Sequence, residues 1–299
     1  MDDDDICLYP GIESLKSITP MKTETGVSHI SMFCSHNHKA SRIVKAFIFS
    51  ICIIIVFGSG ESAGMSELSK HDIHAIYDRS WQMLSRIHID RTVIDKAIVL
   101  YEEVLKMAPY DRDIHWKLSE VTFKKAEISG NDEKSLVIYE KALGYAQEAR
   151  DLYPKSIGAR FWVGCCSARI AEILNGIRSL PMLHQAKTEL KLTIELEPDH
   201  RFATLARAIL AAIYTKTPWP LRDIEKGERF AREAVEKDPN LTLARVTLAQ
   251  VFLQQKNYTH ARNQAVKCLS IDEPTYVWDA ELYNWPEARR ILQEIDQHE

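Results

Sequence analysis

The chain has 299 residues, enough for one large domain or two average ones with a sizeable buried core. Its formal net charge is -4, so no basic excess indicates nucleic acid as a partner. Charged residues make up 27% and hydrophobic residues 45%, the balance of a soluble globular protein, and eleven prolines and eleven glycines are few enough to favour a helical chain over an all-β one.

The first 64 residues divide into two parts. Residues 1–40 have no helical or strand period and are predicted to be an unstructured leader. Residues 41–64 are predicted to be a signal peptide or an uncleaved N-terminal anchor, because a basic stretch precedes a 12-residue apolar run and then small residues. The run is short for a membrane-spanning helix, which needs about 20 residues. We therefore expect a chain that is exported to the periplasm or anchored in a membrane facing it, with translation starting at Met1 or Met32.

Residues 65–299 are predicted to be a helical repeat domain. Four phrases place small residues at fixed positions and then a proline at the same interval: YEEVLKMAPYD, AQEARDLYPKS, LKLTIELEPDH and AREAVEKDPNL. This is the second-helix pattern of the tetratricopeptide repeat (TPR). Small residues let the two helices of a repeat approach closely, and proline ends the second helix.

The repeats predict an all-α, TPR-like α-solenoid of about five helix pairs. Its repeat prolines lie at 109, 154, 198 and 239, so the intervals are 45, 44 and 41 residues against a usual period of about 34. The middle repeats are therefore lengthened between their two helices, near residues 129–132, 175–181 and 217–220, and we expect a binding rim there. Trp285-Pro286 opens a C-terminal capping helix. Its predicted apolar stripe is Ala288, Ile291, Leu292 and Ile295.

The sequence carries no motif for catalysis or cofactor binding. It has neither a glycine-rich phosphate loop nor a nucleophile elbow. His71 and His74 lack a further metal ligand, and the adjacent Cys165 and Cys166 have the character of small packing residues. Asp199 is expected to cap a helix. We predict a non-enzymatic protein with no catalytic residues, no metal and no cofactor.

The inner face of the solenoid is more informative. Four positions on each first helix line the groove of this repeat class, and the central ones here are apolar. The candidate groove residues are Trp116, Phe161, Phe202, Leu205, Ile209, Leu243 and Val246. Such a lining suits a small hydrophobic ligand or an amphipathic helix of a partner protein. The alternative is that C-terminal segments fold back and fill the groove.

Two families of TPR proteins resemble this chain. An exported position, stretched repeats and an apolar interior resemble the periplasmic T component of TRAP transporters, which implies a homo-oligomer and a transporter substrate-binding protein as partner. The run Arg169-Ile170-Ala171, Gly176-Ile177 and Leu190 to Pro198 is similar to the eukaryotic regulator of microtubule dynamics family, which are membrane-anchored TPR proteins. The signal-like N-terminus and compact loops favour the bacterial family.

The sequence is therefore consistent with two functions. The first is a non-catalytic exported scaffold that binds a hydrophobic ligand, docks a partner protein or does both, in association with a TRAP-type transporter. The second is a membrane-anchored adaptor for protein assembly, whose groove is filled by its own chain.

Overall fold

The computed structural model describes residues 70–130 and 132–298, and helices dominate this part of the chain, which contains no strand. The long helices are α1 Lys70–Leu84, α2 Val93–Met107, α3 Ile114–Ile128, α4 Asp132–Leu152, α5 Ile157–Leu174, α6 Leu180–Leu196, α7 Arg201–Lys216, α8 Ile224–Lys237, α9 Thr242–Gln254, α10 Tyr258–Leu269 and α11 Trp285–Asp296. Among these described residues, no helix is both long and apolar enough to cross a lipid bilayer.

The helices form five antiparallel pairs, α1–α2 to α9–α10, followed by α11. Each pair packs on the next, and the first helices α3, α5, α7 and α9 also contact one another in order. These first helices form the inner wall of a curved solenoid, and the second helices form its outer layer. The predicted all-α solenoid is confirmed.

The lengthened repeats take up their extra residues in two ways. Helix α4 has 21 residues, α5 has 18 and α6 has 17, whereas α10 has only 12. The second insertion forms a 3₁₀ turn at Gly176–Ser179, and the third is the loop 217–223 between α7 and α8. Both turns lie at the same edge of the solenoid, and each connects the first helix of a repeat to the second.

Close helix packing within each pair depends on small residues. A Cβ atom built on Gly164 of α5 would lie 2.7 Å from Cγ of Leu190 on α6, and one built on Gly227 of α8 would lie 2.5 Å from the hydroxyl of Thr215 on α7. On α4, the small residues of the second-helix pattern, Ala142, Ala146 and Ala149, are fully buried. The small-residue positions of the repeat thus set the distance between paired helices.

The junctions between repeats share one hydrogen bond. In each, a side chain from the following first helix donates to the carbonyl of the repeat proline. The pairs are His115 with Pro109, Arg160 with Pro154, Arg207 with Pro198 and Arg245 with Pro239, at 2.8–3.2 Å. This bond satisfies a carbonyl near the end of the second helix and fixes the angle at which the next repeat begins.

The expected cap at Asp199 is wrong. His200 is the N-cap of α7, and its Nδ1 accepts a hydrogen bond from the Phe202 amide at 3.1 Å. Asp199 instead points outward and pairs with Lys237 of α8 at 2.6 Å. Asp199, which the sequence predicts to cap α7, therefore forms an ion pair with the neighbouring helix instead.

The C-terminal helix closes the last repeat as predicted. Pro286 lies in its first turn, and Ala288, Ile291 and Ile295 are fully buried against α9 and α10. Leu292 is half-buried at the edge of the same contact.

Gly164 and Gly144 provide a matched test of the helix-packing argument. Gly164→Ala places a methyl group against Leu190 and should lower the free energy of unfolding by about 1–3 kcal/mol. Gly144→Ala, on α4, meets no atom within 4 Å and should raise it by about 0.5–1 kcal/mol, because alanine favours the helix. Urea denaturation followed by circular dichroism measures both. Equal effects of the two substitutions would contradict the packing argument.

Candidate ligand-binding cavity

The inner face of the solenoid lines a partly open cavity of about 620 Å³. Side chains of the first helices α3, α5, α7 and α9 form most of its wall. The remaining side is formed by residues 275–284, which we call the strap; it connects α10 to α11 and contributes Tyr276, Trp278, Asp279 and Tyr283. The strap thereby narrows the groove to a partly open cavity.

One wall of the cavity is apolar. Phe161 of α5 and Phe202 of α7 stack with their ring centroids 4.6 Å apart and an angle of 11° between the ring planes. Six predicted groove residues line this cavity: Phe161, Phe202, Leu205, Ile209, Leu243 and Val246. Residues from three neighbouring repeats thus converge on one surface.

The structure places Trp116 outside the cavity. Its indole lies over Gly158, where a Cβ atom would come within 2.8 Å of the ring, and its edge packs against Phe202 at 5.7 Å. Nε1 donates to Asp113 at 2.7 Å, and the Lys117 ammonium covers the ring at 4.6 Å. Trp116 therefore supports the apolar wall from behind and does not line it.

The strap is held by contacts with repeats far away in the sequence. Trp278 packs edge-on against Trp81 of α1, with centroids 5.4 Å apart, and is buried in the same core cluster as α1 to α3. Asn284 donates to Thr242 of α9 at 3.0 Å. The predicted alternative was that C-terminal segments fold back and fill the groove. The strap does fold back and covers one side of the groove, but it leaves the cavity beside it unfilled.

A charged cluster lies where the strap meets α3. Nζ of Lys124 is 2.6 Å from Asp279 of the strap and 3.7 Å from Glu127, which in turn lies 3.6 Å from Arg169 of α5. Burial alone would lower the pKa of Lys124, but attraction to Asp279 and Glu127 raises it, so the ammonium stays charged. Burial raises the pKa of Glu120 and of Glu127 despite the cations beside them.

The sequence analysis did not select these charged residues. Lys124 and Glu127 follow Glu120 by about one and two helical turns, so the inner-face periodicity of α3 contained a signal for them. Asp279 had no comparable signal, because it lies 155 residues from Lys124.

The cysteines of the described region are structural. Cys165 faces the cavity, and Cys166 lies 3.7 Å from the Ser119 hydroxyl on α3. Burial raises the pKa of both thiols, to about 12 for Cys166, which opposes formation of a nucleophilic thiolate. In residues 70–130 and 132–298, no group of three or more potential metal ligands comes together.

The sequence profile of one family matches residues 84–296, which include almost the whole described solenoid. The chain belongs to the Regulator of microtubule dynamics protein 1-3 family. This family is the second of the two that the repeats resemble; the resemblance to TRAP transporter components stays a hypothesis. No curated protein sequence matches the chain.

One solved structure supports the same fold, and a second is similar over a smaller share of the chain. A thermophilic TPR protein from Thermus thermophilus is 17% identical, with a TM-score of 0.57 over 74% of this chain and 98% of its own. MamA from Desulfovibrio magneticus is 15% identical, with a TM-score of 0.44 over 67% of this chain and 94% of its own. At such identities the first comparison establishes a TPR fold for this family member and nothing about its ligand.

The Trp81–Trp278 contact predicts that the strap stabilises the first repeat. Trp278→Ala should lower the free energy of unfolding by about 3–5 kcal/mol, because it removes a buried indole. Hydrogen exchange should accelerate in α1 as well as in the strap. Val277→Ala changes a neighbouring, more exposed side chain and should alter stability by less than about 0.5 kcal/mol. Unchanged exchange in α1 would contradict this account of the strap.

The buried Glu127 predicts a specific pH dependence. Because its pKa is raised in the folded state, folding favours the protonated carboxyl, and stability from this group increases as pH falls through the folded pKa. The difference in Tm between the wild-type chain and Glu127→Gln should therefore shift in favour of the wild type between neutral pH and about 4.5. Glu140→Gln, at an exposed site on α4, controls for loss of a charge. A difference that is constant with pH would argue against the raised pKa.

Proposed function

We propose that this protein is a non-catalytic TPR scaffold that binds a small hydrophobic ligand inside the groove. The observation that carries the proposal is the stacked Phe161–Phe202 wall, continued by Leu205 and Ile209, on a cavity of about 620 Å³. This volume lies in the range of ordinary small-molecule sites, which are mostly apolar with a few placed polar groups.

The energetics are sufficient for binding. Burying a side chain or ligand group of the size of phenylalanine contributes roughly 1.5–3 kcal/mol. Two or three such contacts support micromolar affinity after the costs of ordering the ligand. The charged cluster around Lys124 and Glu127 at the strap suits a ligand with one polar end, because an entirely apolar molecule would desolvate these groups without compensating them.

A second candidate function is an adaptor for protein assembly. The family description and the TPR fold support it, since both point to a protein that works through partners. The strap occupies part of the concave path that a partner helix would follow, so such a partner would bind the outer layer or displace the strap. Under this proposal residues 41–64 export the chain or anchor it in a membrane. Association with a TRAP-type transporter has less support than a partner typical of the matched family.

Filling the cavity tests the first candidate. Ala212 is half-buried on α7 and lines the cavity, so Ala212→Phe should reduce binding of a fluorescent fatty-acid probe by at least about tenfold. Val266→Phe makes a similar change at an exposed site on α10 and should leave binding unchanged. Titration of the full chain with the probe measures affinity, and circular dichroism checks the fold. Equal affinity of both variants would reject the cavity as the site and favour the adaptor.

A further inference from the structure

The two most exposed large apolar side chains of the described region lie in neighbouring turns. Trp219 is 86% exposed in the loop after α7, and Ile177 is 85% exposed in the 3₁₀ turn after α5. Leu180 and Leu221 lie beside them and are 42% and 43% exposed. Exposed apolar side chains that lie together on a surface, unlike single ones, often mark an interaction site.

Both turns reach the mouth of the cavity. Asn175, Gly176 and Ser179 of the first turn line the cavity together with Thr217 and Pro218 of the second. Helices α5 and α7, which carry the turns, pack side by side. The four apolar side chains therefore form one rim, and we call residues 176–180 and 217–222 the mouth rim.

Basic side chains surround the mouth rim. Arg178, Lys216 and Arg222 are exposed within or next to it. Two of the acidic groups nearby are already paired, Glu172 with Arg169 and Asp223 with Lys226. On α6, burial lowers the pKa of Lys187, and the ammonium groups of Lys191 and Lys226 lower it further.

We propose that the mouth rim docks on the surface of an anionic lipid bilayer. Two loop tips that project apolar side chains, with cations around them, fit the headgroup region of a bilayer: tryptophan prefers the interface, and lysine and arginine bind anionic headgroups. A partner helix would instead require an apolar groove to hold it, and the mouth rim consists of turns. In this orientation the cavity opens toward the membrane.

The proposal does not depend on what the cavity binds. It concerns a surface that Ala212→Phe leaves unchanged, so its test and the test of ligand binding can fail separately. It also differs from anchoring by residues 41–64, which would bring the chain to a membrane without inserting Trp219.

Trp219 is itself the reporter for this test. The other five tryptophans are buried or half-buried, and Trp219 alone among the six is exposed. The full chain is mixed with vesicles whose phosphatidylcholine carries bromine in the acyl chains, with or without phosphatidylserine, and quenching of tryptophan fluorescence is measured. We expect quenching that requires phosphatidylserine, with apparent affinity about tenfold or more above that for phosphatidylcholine alone. In Trp219→Phe, which keeps an apolar side chain, most of the quenching should disappear.

A second pair of variants separates docking from general membrane attachment. Ile177→Ser should weaken the quenching of Trp219, whereas Val99→Ser, at an exposed site on α2, should leave it unchanged. Arg178→Glu combined with Arg222→Glu should remove the dependence on phosphatidylserine. The proposal is overturned if Trp219 is not quenched, or if Trp219→Phe is quenched as strongly as the wild type. It is also overturned if sedimentation shows a dimer that Ile177→Ser dissociates, which would assign the rim to a second copy of the chain.

Discussion

The structure depends on how closely the two helices of each repeat approach. At Gly164 and Gly227 there is no room for a methyl group, because Leu190 and the Thr215 hydroxyl occupy that space. This separation sets the angle between the two helices of a pair. The hydrogen bond from the next first helix to the carbonyl of the repeat proline then fixes the orientation of the following repeat. The curvature that brings Phe161, Phe202 and Val246 to one wall follows from these two local constraints.

The cavity has an apolar wall at one end and a cluster of charged side chains at the other. Its apolar wall gains stability from dehydration. At the charged end, attraction to Asp279 and Glu127 offsets the desolvation cost of Lys124, whereas burial still raises the pKa of Glu127. Removing the Lys124 ammonium would take away the ion pair of Asp279 and leave Glu127 with Arg169 alone. The cluster therefore holds the strap against α3 through an ion pair. A ligand that reaches this end of the cavity must supply a polar group that pairs with the cluster.

The local features of the fold could be predicted from sequence, and the long-range ones could not. The spacing of small residues and prolines indicated the helix pairs, and the inner positions of α5, α7 and α9 indicated six cavity residues. The same rule failed for Trp116, because Gly158 opens a space behind the wall that the indole fills. The strap had no periodic signal in the sequence. Trp278 contacts Trp81 only because the five repeats curve and bring the two ends of the solenoid together. Asp199 and His200 show that a choice between adjacent caps depends on the neighbouring helix.

A solenoid is ordinarily a linear array in which each repeat interacts only with its neighbours, so it can unravel from either end. Here the segment after the fifth repeat packs on the first, and the array becomes a closed ring. Fraying of the first repeat must break the contact between Trp81 and Trp278, and separation of the strap from α3 must break the Lys124–Asp279 pair. We expect ring closure to come late in folding, because both ends must be formed before they can make contact. Once the ring has closed, the repeats should unfold as a single cooperative unit.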